Sequence, residues 1–162
     1  MEINNQNLEI MIYPERDGVL SPIGHDLAIE AQKLSGKLDG TALEITVPFD
    51  QLRVIGNISN GQLDRGQPGE KDRKKIEQNM LADVLETKKF SSATFSGTRE
   101  GDVVSGELTL HGVTRGIRVA LVDGRGSFVI NQNDYKIKPF KAFLGQLRIK
   151  PELRIEVVVK GL

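Results

Sequence analysis

The 162-residue chain contains no cysteine and no tryptophan, only two histidines, and its 22 basic residues cancel its 22 acidic ones. Without cysteine there is no disulfide framework, no thiol nucleophile and no thiolate metal site. Two histidines are too few for a His-rich zinc centre, so neither a metal nor another cofactor is expected. Zero net charge provides no overall field to attract nucleic acid or an anionic membrane surface. The aromatic set, six Phe with Tyr13 and Tyr135, is thin. Its densest stretch, Tyr135-Lys136-Ile137-Lys138-Pro139-Phe140-Lys141-Ala142-Phe143, comes nearest to a stacking platform for single strands. In so neutral a chain its apolar members are expected to line a sheet end while the lysines stay in water. No G-x-S-x-G elbow and no phosphate loop followed by a helical lysine occurs. No apolar run approaches the ~20 residues of a membrane span, so stable membrane insertion is not expected. Met1 to Asn7 lack the basic and apolar regions of a secretory signal. With Met1 as the natural start the expectation is a cytoplasmic protein; a trimmed leader would make it periplasmic or secreted.

What the chain does have is alternation. Leu8, Ile10 and Ile12 alternate with Glu9, Met11 and Tyr13 until Pro14 stops the strand. A second strand centres on Leu27, Ile29 and Ala31, and Leu34 to Leu38 continues or pairs with it. Leu43, Ile45, Val47 and Phe49 then alternate with Glu44, Thr46 and Pro48, after a hairpin turn at Asp39-Gly40. Further strands are expected at 93–98, 103–110, 113–122, 126–130, 145–149 and 153–160, with a short helical turn at 131–135. In the last strand Leu153, Ile155, Val157 and Val159 share a face. Many strands joined by short turns, without βαβ spacing, indicate an all-β antiparallel barrel or sandwich in a single domain over 1–162.

Two segments interrupt the pattern. Gly56 to Gly69 is polar and Gly-rich and is expected to be a long loop, with Asp64-Arg65-Gly66 and Lys71-Asp72-Arg73 as solvated charges. From Glu70 to Leu85 the residues Ile76, Met80, Leu81, Val84 and Leu85 fall on one helical face, with Asn79 and Asp83 off the stripe, so one amphipathic helix packs on the sheet. The acidic Glu70 suits its first turn.

Catalytic chemistry is sparse. In Gly24-His25-Asp26-Leu27 adjacent strand residues point to opposite faces, which weakens a His-Asp dyad and favours a structural His25. His111 belongs to the turn His111-Gly112, where Gly112 supplies a positive φ and the imidazole is expected in solvent.

An amphipathic stretch ending Leu85-Glu86-Thr87-Lys88-Lys89-Phe90, the strand Ala93-Thr94-Phe95-Ser96-Gly97-Thr98, and then Gly106-Glu107-Leu108-Thr109-Leu110-His111-Gly112-Val113-Thr114-Arg115 together resemble the YceI-like family of polyisoprenoid-binding proteins. Gly24-His25-Asp26-Leu27 and the region from Asp134 to Gly145 resemble that family's early strand and closing region. The helix Ile76 to Leu85 departs from the family's Arg-Asp and H-L-x-S-x-x-F pattern, retaining Asp83 with the apolar pair after it, and Ser91 replaces the usual proline. The resemblance implies a lipocalin-like antiparallel β-barrel with one helix, holding an isoprenoid or other apolar chain.

On that basis the expected function is non-catalytic binding or carriage of an isoprenoid or fatty-acyl chain, without nucleic acid. The candidate wall residues are Leu27, Ile29, Ile45, Val47, Phe95, Leu108, Leu110, Ile117, Val119, Leu121 and Phe128, each equally explicable as core, since barrels of about eight strands are either filled or hollow. The alternative is a structural or interaction module, a homodimer with a packed centre, using Val104, Val122 and Val158 on outer strand faces.

Overall fold

The computed structural model describes residues 1–18 and 26–162. His25 lies outside the described residues. The chain folds into strands β1 (Glu2–Ile3), β2 (Leu8–Tyr13), β3 (Arg16–Asp17), β4 (Asp26–Ala31), β5 (Ser35–Asp39), β6 (Ala42–Pro48), β7 (Leu52–Ser59) and β8 (Gln62–Asp64). Helix α1 (Glu70–Asn79) follows, and then β9 (Ser92–Glu100), β10 (Val103–Leu110), β11 (Val113–Ala120), β12 (Arg125–Asn131), β13 (Lys141–Ala142), β14 (Leu147–Ile149) and β15 (Glu152–Val159). A 3-10 turn occupies Gln132–Tyr135, where the sequence suggests one.

Among the described residues the strands form two six-stranded sheets, β1-β5-β6-β9-β10-β11 and β12-β15-β2-β4-β7-β8, and a small one, β13-β14-β3. Tight turns set the register. Leu110 faces Val113 across His111-Gly112, whose φ angles of 54° and 75° are those of a hairpin turn that bends with the strand twist. Asp39 faces Ala42, so the loop is Gly40-Thr41, one residue beyond the expected Asp39-Gly40.

Three expectations are corrected. The stretch from Gly56 is not one long loop: β7 runs on through Ser59, Asn60-Gly61 turns the chain, and β8 pairs back on it. Polar residues suit this hairpin because all three positions of β8 are exposed. Leu34 to Leu38 does not pair with β4. β5 pairs with β6 and β1 in the opposite sheet, because Gln32 and its neighbours carry the chain from one layer to the other, with Asn5 holding the crossing by bonds from its Nδ2 to Ala31 O (2.8 Å) and to its Oδ1 from Leu34 N (2.9 Å).

The third correction concerns closure. Among the described residues the ladders do not run round into a closed barrel. β11 and β12 leave the Asp123-Gly124 turn joined by a single bridge, Val122 to Arg125, and then diverge into different sheets. At this seam the chain packs tightly: a Cβ on Gly126 would stand 2.7 Å from Val119 Cγ1, 3.0 Å from Ala120 O and 3.0 Å from Leu121 Cδ2.

The sheets share one interior in two clusters. The smaller joins Ile3, Leu43 and Phe95 of one sheet to Leu8 of the other, with Leu34. The larger gathers Ile29, Val54, Ile130 and Ile155 with Leu110, Leu85, Tyr135 and Ile137. Onto the larger cluster packs the helical segment, through Ile76, Met80, Leu81 and Val84. α1 carries Glu70 and Asp72 in its first turn, favourable to the helix dipole, and continues as a π turn over Met80–Val84. It is tied down by polar contacts. Glu77 Oε1 accepts the Val54 N–H at 3.0 Å. Arg73, expected as a solvated charge, donates through Nε to Pro68 O at 2.7 Å and through its guanidinium to Arg65 O.

Candidate functional site

Because strand side chains alternate, each strand that faces the interior delivers every second residue to it. Between the sheets these residues touch in the two clusters but do not fill the space. They surround a cavity of about 650 Å³ walled by aliphatic and phenylalanine side chains, a volume in the range of small-molecule pockets, roughly 300–1,000 Å³.

All eleven residues named from the sequence stand on this wall. Leu27 and Ile29 come from β4, Ile45 and Val47 from β6, Phe95 from β9, Leu108 and Leu110 from β10, Ile117 and Val119 from β11, Leu121 from the segment after it, and Phe128 from β12. The wall also takes in Ile10 and Ile12 of β2, Leu153 to Val159 at alternate positions of β15, and Ile76, Met80, Val84 and Leu85 of the helical segment. Val104 is corrected: it lines the cavity instead of an outer face. Val122, by contrast, is 71% exposed. Asn79 also reaches the cavity, because the helix stripe is wider than its apolar members.

Phe95 owes its position to two glycines. Gly97 and Gly106 face each other across β9 and β10 on the inward side, and a Cβ on either would fall 2.8 or 2.7 Å from Phe95 Cζ. The ring therefore lies over a floor without side chains, which leaves the space in front of it open.

The polar part of the lining was not legible from hydrophobic alternation. Arg16, Asp72, Lys75, Arg99 and Arg148 reach it at partly or fully exposed positions. The buried polar residues among those described are two neutral amides, Asn57 (5% exposed) and Gln132 (4%), and both line the cavity. Gln132 Nε2 donates to Lys150 O at 3.2 Å. Asn57 Oδ1 has no hydrogen-bond partner among the described residues. Asn57 escaped notice because its polar neighbours place it in an apparent loop.

His111 is corrected as well. Its side chain is 9% exposed and not in solvent: Nδ1 donates to Tyr135 O at 3.1 Å, Nε2 lies 2.9 Å from Glu86 Oε2, and Phe90 packs on the ring at 4.4 Å between centroids. With both nitrogens engaged and the ring off the cavity wall, it fastens the β10–β11 turn to the segment after the helix. Burial, chiefly, pushes the Tyr135 phenol above its ordinary range, and the same holds for Tyr13, where Glu156 adds to the effect. Neither tyrosine lines the cavity, and no cluster of three or more metal-ligating side chains occurs among the described residues. The described helices include none long and apolar enough to cross a membrane.

Comparison with known proteins agrees with this architecture. A polyisoprenoid-binding domain from Saccharophagus degradans, implicated in plant cell wall breakdown, superposes with a TM-score of 0.63 over 98% of this chain and 95% of that one, at 16% identity. A mutant CJ YceI protein with a monobromobimane guest aligns over 67% of this chain and 70% of that chain, with a TM-score of 0.46 and 14% identity. No curated protein sequence matches. The YceI-like domain pattern matches residues 16–160, which spans every strand of the cavity wall except β1 and β2. The chain belongs to the YceI-like domain family.

Proposed function

We propose that this protein binds and carries, without catalysis, a lipid-like apolar chain of isoprenoid or fatty-acyl type in the cavity between its two sheets. The observation that carries the reading is the cavity itself. A packed module would fill this space, because protein interiors reach crystal-like density with few voids larger than a water molecule. Here about 650 Å³ stays open behind inward side chains from both sheets. An apolar chain placed there gains roughly 25 cal/mol for each Å² it removes from water. The polyisoprenoid-binding function of the Saccharophagus degradans domain supports the same reading by likeness of fold. Among the described residues the charged members of the wall sit at exposed or half-exposed positions, and His111 does not line it.

Leu108 offers the test, since it lines the cavity from the middle of the wall and is only partly buried. Leu108→Trp puts bulk where the chain would lie. The expected outcome is a folded variant that no longer retains lipid in native mass spectrometry, beside a wild type that does. In a filled core the same change overpacks and costs about 1–3 kcal/mol. A bare wild type that takes up no added lipid, together with a markedly destabilised Leu108→Trp, would sink the carrier reading in favour of the packed homodimeric module.

A further inference from the structure

Asn57 occupies a position that the sheet has been bent to give it. Along β7, Leu52 faces Ala31 and Val54 faces Ile29, but Ala28 is met by Gly56, so Ile55 is an extra residue in the ladder. Such a bulge reverses the alternation beyond it. Without it Gly56 would take the inward position and Asn57 would turn away. With it Asn57 stands directly opposite Leu27, and opposed residues of an antiparallel pair share a face. That face is the cavity wall.

The carboxamide so presented is 95% buried by the complement of its 5% exposure, and its Oδ1 lacks a partner among the described residues. The backbone is satisfied, since Asn57 N donates to Gln67 O at 2.8 Å. A buried acceptor left unpaired is destabilising, and a leucine of similar size would avoid that cost in a site that only held hydrocarbon. The cations of the lining, Arg16, Lys75, Arg99 and Arg148, are all at exposed or half-exposed positions, so a charged head group beside Asn57 would be buried without a buried counter-ion.

We propose that Asn57 is the polar anchor of the cavity and selects a ligand whose apolar chain ends in an uncharged hydrogen-bond donor, such as a hydroxyl or amide, over one ending in a carboxylate or phosphate. This rests on the carrier reading above and adds the chemistry of the head group. Oδ1 accepts the donor hydrogen; Nδ2 of the same amide is available to the head group's oxygen. The rest of the ligand follows the aliphatic wall.

Hexadecanol, hexadecanoic acid and hexadecane, matched in chain length, make the test. Each is offered to the purified full chain singly and in equimolar mixture, at a pH that ionises the acid, and bound species are read by native mass spectrometry. In the wild type hexadecanol should outcompete both others by about tenfold, the factor that corresponds to about 1.4 kcal/mol. Asn57→Leu should bring the alcohol and the alkane to near equality, and Asn57→Thr, which keeps a hydroxyl on a strand-compatible side chain, should retain most of the preference. If the Leu variant does not fold, the wild-type ranking and the Thr variant decide. Equal uptake of all three, preference for the acid, or an alcohol preference that survives in Asn57→Leu overturns the anchor and leaves the carrier standing. Failure of every probe to bind wild type overturns the carrier reading and the anchor with it.

Discussion

Two clusters of buried side chains face the same cavity, yet the smaller is enclosed by paired backbone while the larger lies under a helix that buries none of its own residues. Around Ile3, Leu8 and Leu43 the chain termini are bonded in place: Met1 and Leu38 exchange backbone bonds, and Lys160 N donates to Asn7 O at 2.9 Å. Over Ile29, Val54 and Leu85 the cover is α1, held by partly buried apolar contacts and by the side chains of Glu77 and Arg73. Opening the first region breaks a sheet. Opening the second releases a few side-chain contacts, and local opening free energies differ in that way across a fold. The helix side is therefore where a ligand is expected to pass.

The comparison breaks most visibly at Phe95, the aromatic member of the smaller cluster. Phe95→Ala should cost about 3 kcal/mol in denaturant unfolding, near the low end for such truncations because the ring already borders open space. A loss near zero would mean that the paired end does not depend on its packing. On the helix side, Glu77→Ala leaves the buried Val54 N–H without its acceptor and should cost about 1–3 kcal/mol. Glu77→Gln keeps an acceptor and should recover most of it. Stopped-flow release of a bound fluorescent fatty alcohol should be faster in Glu77→Ala than in wild type, and unchanged in a Phe95 variant that still folds. Equal release rates in Glu77→Ala and wild type would remove the helix as the gate. The smallest effect on binding belongs to His111→Ala. It should leave lipid retention unchanged, because the ring does not reach the cavity, while lowering stability by about 1 kcal/mol through its lost bonds to Tyr135 and Glu86. Loss of lipid from a folded His111→Ala would show that the clamp shapes the cavity.

Period-two alternation was enough to find most strands and to bring eleven scattered apolar residues onto one cavity wall, because inward parity is a local property of each strand. Family motifs added what parity lacks, the order of helix and hairpins around Phe90 to Arg115. Two features stayed illegible for physical reasons. Whether inward residues touch depends on the separation of the sheets, which no single strand encodes. The end of β7 from Gly56 and the whole of β8 read as loop because Asn57, Asn60 and Gly61 are polar or turn-forming, although Asn60-Gly61 is itself a hairpin signal. Val104 was legible: it has the parity of Leu108 and Leu110 in β10, so the alternation that placed those two on the wall places Val104 there as well.

The seam between β11 and β12 sets a different kind of limit. In a closed barrel the girth is fixed by strand number and stagger, and widening it means breaking ladder bonds and stranding buried amides. Here, among the described residues, a single bridge at Val122 and Arg125 links β11 to β12, and beyond it the side chains of Val119 and Leu121 pack against Gly126. Moving those surfaces apart forfeits dispersion contacts of roughly 0.1–0.2 kcal/mol per atom pair, and no ladder. At this seam, then, the girth of the compartment is held by side-chain packing and one bridge and not by a continuous ladder.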